Sequence, residues 1–145
     1  MKKILLSLVS IFILTLASDI PTRTGTFPDK EMKSQNKKIA KLVAEEISST
    51  LPQVVDKYTT LVSIKANNST LVYKFEIKTG SKSDETIRKE DHSRMKKAIT
   101  IGICQSSSKF LEAGINTSYI YISAKTSAQL FKFEISQKDC IKSKK

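Results

Sequence analysis

The sequence predicts an α+β domain: a four-stranded antiparallel sheet built from two hairpins, with helices packed on one face, element order α-β-β-α-β-β, and one disulfide. Three observations carry this. Apolar residues recur at helical spacing in 30–50 and again in 86–104. They alternate with polar residues in 62–77 and in 115–136. Two cysteines, Cys104 and Cys140, follow an N-terminal stretch with the build of an export signal.

In the first helix Ile39, Leu42, Val43 and Ile47 fall at i, i+3, i+4 and i+8, while Lys37, Lys38, Lys41, Glu45 and Glu46 occupy the other faces. Ser48, Ser49 and Thr50 followed by Pro52 end it, because the residue before a proline is pushed out of helical backbone. The period then changes. Val62, Ile64 and Ala66 alternate with Ser63 and Lys65, Asn67-Asn68-Ser69 turns the chain, and Leu71, Tyr73, Phe75 and Ile77 alternate with Lys74, Glu76 and Lys78. Gly80 to Ser83 reads as a loop. A second helix is expected from Thr86 to Cys104 through Ile87, Met95, Ala98, Ile99, Gly102 and Ile103, and a short third from Ser106 to Leu111, closed by Gly114 as a left-handed cap.

The closing hairpin runs through Ile115, Thr117, Tyr119 and Tyr121, a turn at Lys125 to Ala128, and Phe131, Phe133 and Ile135. The helices are expected on the face that Tyr73, Phe75, Phe131 and Phe133 present. Cys140, just past the last strand, can then reach Cys104 at the end of the second helix. Such a bridge would add about 3–4 kcal/mol in the chain-entropy account.

Met1-Lys2-Lys3, the apolar run Ile4 to Leu16 and the small residues Ala17 and Ser18 form a secretory signal peptide. The run is too short to span a bilayer, which takes roughly 20 residues. Residues 1–18 are therefore read as the signal, cleaved after Ala17 or Ser18, 19–29 as a flexible lead segment, 30–140 as one domain and 141–145 as a basic tail. The folded part belongs in the periplasm. No cysteine lies near the cleavage point, so neither a lipid anchor nor any other stable membrane anchor is expected after cleavage.

Lys and Arg number 25 against 14 Asp and Glu, a formal charge of +11 that falls to about +9 once Lys2 and Lys3 are removed. The surplus favours acidic partners, and export makes nucleic acid the poorest of them. Chemistry has little to work with. His92, the only histidine, sits in Glu90-Asp91-His92-Ser93-Arg94 and reads as part of a solvated helix face. The carboxylate pairs Glu45-Glu46, Asp84-Glu85 and Glu90-Asp91 are adjacent, so on a helix they point apart, whereas acid-base work needs carboxyls facing across a cleft. There is no Gly-x-Ser-x-Gly turn, and four glycines do not make a phosphate loop. The expectation is no enzyme, no cofactor and no metal. Arg88, Lys89, Arg94, Lys96 and Lys97 crowd the second helix, and Lys74, Lys78 and Lys132 project from the polar side of the predicted sheet; these charges read either as solvating exposed faces and discouraging edge pairing or as a cationic docking face.

The opening Met1-Lys2-Lys3-Ile4-Leu5-Leu6, the Asn67-Asn68-Ser69-Thr70 turn and the closing Lys138-Asp139-Cys140 resemble the bacteriocin immunity proteins of the pesticin type. That resemblance implies a periplasmic protein that binds and inhibits a peptidoglycan-cleaving muramidase bacteriocin. Lys74, Lys78 and Lys132 would then be the first contacts to its acidic cleft. A second resemblance runs through Leu51-Pro52-Gln53-Val54-Val55-Asp56, Cys104, the strand pair led by Gly114 and the terminal Asp139-Cys140. These look like the small disulfide-bonded pilotins that help to assemble secretins, although pilotins are typically lipidated.

Overall fold

The computed structural model describes residues 29–142. The signal peptide, both cleavage positions, the lead segment up to Pro28 and the last three residues lie outside them. Helix α1 (Asp29–Ser48) is followed by β1 (Gln53–Val54), β2 (Thr59–Asn67) and β3 (Thr70–Ile77). Three helices come next, α2 (Asp84–Lys89), α3 (Ser93–Ser106) and α4 (Ser108–Glu112), then β4 (Asn116–Ser123), β5 (Gln129–Ile135) and α5 (Gln137–Lys142).

The fold class is as expected, but the sheet has five strands, in the order β1-β2-β3-β4-β5. The added strand, β1, pairs antiparallel with β2 through Gln53 opposite Leu61 and Val54 opposite Thr60. Two residues are too few to show a period, so alternation could not reveal it.

The second correction concerns direction. β2 and β3 form the expected hairpin and so do β4 and β5, yet β3 and β4 run parallel, Tyr73 beside Tyr119 and Phe75 beside Tyr121. A helical crossover carries the chain back to the end of the sheet at which β3 began, so the next strand repeats the direction of the last. The sheet is therefore mixed.

The expected second helix is interrupted. Asp91 accepts hydrogen bonds from the Ser93 backbone N–H (2.9 Å) and hydroxyl (3.0 Å), which starts α3 afresh after α2 has ended at Lys89. At the other end of the chain, Ile141 and Lys142, assigned to the basic tail, belong to α5.

One sheet face carries all the helices. It presents Leu61, Ile64 and Ala66 from β2, Leu71 to Ile77 at alternate positions from β3, Tyr119 and Tyr121 from β4, and Phe131, Phe133 and Ile135 from β5. This is the face predicted from Tyr73, Phe75, Phe131 and Phe133; Phe75 and Phe133 are buried, Tyr73 and Phe131 half-buried. Small residues bring α1 close, with Ala40 and Ala44 packed on Ile64, Leu71 and Ile115. The larger cluster joins Leu61, Phe75, Leu111, Tyr119, Tyr121, Phe133 and Ile135 under α3, α4 and α5. Burying each of its large side chains contributes roughly 1.5–3 kcal/mol. Cys104 and Cys140 are bonded, with Cα atoms 5.5 Å apart, and tie α3 to α5.

Candidate functional site

Helix α1 covers β2 and the first half of β3, while α2 and α3 lie over β5. The helix-covered face opens at the start of β2 and the end of β3, beside α2 and α3. The opening is a groove of about 580 Å³, lined by Tyr58, Ile77, Ile87, His92, Met95 and Phe131, with Lys78, Lys82 and Glu90 on its rim. That size lies in the range of small ligand and peptide pockets.

Local chemistry fixes each wall. Asp56 accepts the backbone N–H groups of Tyr58 (2.7 Å) and Thr59 (2.9 Å), a tight turn that brings Tyr58 to the mouth. The first of those bonds holds the Asp56 carboxyl below its ordinary range. The Lys78 N–H donates to the Tyr58 carbonyl at 2.9 Å and closes the end of the β2–β3 hairpin. On the opposite wall Ser83 caps α2 by accepting the Thr86 N–H at 3.2 Å. His92, between α2 and α3, stacks on Phe131 with ring centroids 3.9 Å apart, and its Nε2 lies 2.9 Å from the Ile87 carbonyl oxygen. The expectation of a solvated histidine is thus corrected: the interruption of the helix turns His92 inward over β5.

The rim is cationic and the approach apolar. Lys82 pairs with Glu90 at 2.5 Å, Lys78 is exposed, and the Lys57 ammonium stands 4.7 Å from the centre of the Tyr58 ring. Next to Tyr58, 56% exposed, Val54 and Val55 are 77% and 59% exposed. Three apolar side chains in solvent around one turn form a patch of the kind that partners cover.

The three lysines expected to act together do not share a surface. Lys78 stands at the groove, whereas Lys74 and Lys132 lie on the opposite, helix-free face, in one row across the sheet with Ile120 between them. Lys132 is also paired with Glu134 at 2.5 Å. Alternation placed Lys78 on the same face as Lys74, but Lys78 lies beyond the last residue of β3, where period two no longer applies. The groove was missed in the sequence because its walls come from β2, β3, α2, α3 and β5.

His92 spends one ring nitrogen on a carbonyl and its face on Phe131. Among the described residues no three His, Cys, Asp or Glu side chains converge so as to hold a metal ion. The geometry suits capture of an apolar segment.

The domain family described as a domain of unknown function, DUF8479, matches residues 34–131, about two thirds of the chain. The chain belongs to the DUF8479 family. No curated protein matches this DUF8479 member in sequence. Solved structures share its fold. A presumptive secreted protein of Pseudomonas aeruginosa, PA3611, superposes with a TM-score of 0.66 at 14% identity, covering 80% of this chain and 99% of its own. The type 2 secretion system pilotin EpsS of Vibrio vulnificus gives 0.63 at 12% identity, over 77% of this chain and 96% of its own. The type II secretion system pilotin AspS of Vibrio cholerae gives 0.61 at 13% identity, over 77% and 98%. These likenesses correct the first resemblance. The fold of this DUF8479 member is shared with pilotins, and the bacteriocin immunity reading, with its muramidase partner, is overturned. Size, charge and an export signal are common to many exported domains and do not specify a fold.

Proposed function

We propose that the chain is an exported, non-enzymatic assembly factor of the pilotin kind, which holds an apolar segment of a secretin in the groove that α2 and α3 wall off at the end of β3. The groove itself carries the reading: six apolar or aromatic side chains, with exposed Tyr58 among them, and lysines on the rim. Likeness of fold to EpsS and AspS supports it. The N-terminal signal in the sequence supports delivery to the periplasm, and among the described residues no helix is long and apolar enough to cross a membrane. In this reading Met95, Phe131 and Tyr58 supply the buried contact, where hot-spot energy concentrates, and Lys78 and Lys82 steer an acidic flank of the partner.

The test is calorimetric titration of the mature, oxidised protein with the C-terminal segment of a secretin encoded by the same organism. Saturable binding that Met95→Lys weakens at least about tenfold, with the fold intact by circular dichroism, is the expected result. Unchanged affinity in Met95→Lys would move the contact elsewhere, and no heat at any concentration would remove the secretin reading.

A further inference from the structure

The sheet has two edges, and they are finished differently. β1 is two residues long, preceded by Pro52 and turned back at once by the Val55 N–H bond to the Thr59 carbonyl (2.9 Å), which blunts that edge against pairing. β5 is seven residues long and contains no proline. Its two ends are tied. The Arg88 side chain donates from Nε to the Gln129 carbonyl at 3.0 Å, and the Ser136 N–H donates to the Asp139 carboxylate at 2.9 Å. Between these ties, among the described residues, no strand lies outside 130–135.

We propose that this edge is a seam between two copies of the chain, joined antiparallel about a two-fold axis at Phe133 so that the two sheets become one. The sequence of β5 selects the register. Lys132 and Glu134 lie on the helix-free face, with side chains 41% and 72% exposed, next to each other on one strand. An axis at Lys132 or at Glu134 would set like charges opposite one another. An axis at Phe133 sets Lys132 against the partner's Glu134, and Glu134 against the partner's Lys132, while Phe131 faces the partner's Ile135 on the other side. Directly opposed strand residues of opposite charge stabilise an antiparallel pair, and like charges destabilise it. Such self-complementarity is what an isologous two-fold contact requires. The groove and the seam share Phe131, but the residues varied to test the seam, Lys132 and Glu134, lie on the helix-free face and line no part of the groove.

Sedimentation equilibrium at about 0.15 M salt, where the repulsion of two basic chains is damped, tests it. The wild-type chain should dimerise, and Lys132→Glu and Glu134→Lys should each raise the dimer dissociation constant at least about tenfold. The double variant Lys132→Glu/Glu134→Lys should restore dimerisation. So should an equimolar mixture of the two single variants, since each then faces opposite charge. A wild-type chain that stays monomeric overturns the proposal, as do single variants that dimerise like wild type or a double variant that stays monomeric. Circular dichroism of each variant, with wild-type spectra expected because both side chains are exposed, separates loss of pairing from loss of fold.

Discussion

Asn36 is a buried polar residue on a helix whose other inward positions are Ala40 and Ala44, and its Nδ2 donates to the Ala113 carbonyl at 2.5 Å. That bond ties α1 to the end of α4, where Gly114 has a φ of +88°. Asn36→Ala removes this bond and should cost about 0.5–1.5 kcal/mol in urea unfolding. Gly114→Ala should cost about 1 kcal/mol through the left-handed backbone alone, since the added Cβ meets the Asn36 Nδ2 at an ordinary 3.5 Å. Gly114 was legible as a helix-ending glycine. Asn36 was not: its partner is 77 positions away, and nothing local distinguishes it from a solvated residue. His92 was misread for the same reason, because the Phe131 ring that receives it belongs to a strand far along the chain.

Helices and strands were legible in proportion to their length. The twenty residues of α1 and the alternating runs of β2, β3, β4 and β5 announce themselves, whereas β1 and the interruption before α3 depend on one turn and one capping carboxylate. The link between elements most accessible to experiment is the Cys104–Cys140 bridge, which joins α3 to α5 across 36 positions. Replacing both cysteines with serine should lower stability by roughly 3–4 kcal/mol, the loop-closure entropy returned to the unfolded chain. The loss should appear as a lower denaturant midpoint at an unchanged or slightly larger m-value. The pair was legible because export and an even cysteine count together predict a bridge; the helix that carries Cys140 was not.

At the scale of the molecule, a stack of aromatic rings crosses the sheet from Tyr73 through Tyr119 and Phe75 to Tyr121 and Phe131. Burial pushes the phenol of Tyr121 up to about 12, and raises those of Tyr119 and Tyr73. A phenol whose folded pKa exceeds its unfolded value near 10 adds stability that is complete below about pH 10 and lost as pH rises through the folded value. The melting temperature should therefore hold to about pH 10 and fall steeply toward pH 12. Tyrosinate absorbance at 295 nm should rise together with the loss of helical circular dichroism. The direction of the β3–β4 pair and the groove beside α2 and α3 escaped the sequence together. Both are set by where the crossover lays its helices, and periodicity reports faces but not the positions of elements.

The parallel contact of β3 with β4 also divides the chain by position: residues 29–77 build α1 and the first three strands, and everything after Gly80 builds the rest. Both cysteines fall in the second portion, so the covalent bridge does nothing to hold the two together. A protease that nicks the loop at Gly80 to Lys82 would leave two fragments joined by one strand ladder, the aromatic stack and the Asn36 bond. Expressed separately, the same two fragments should find each other and reconstitute the domain, which makes this small fold a natural split reporter for the compartment it enters.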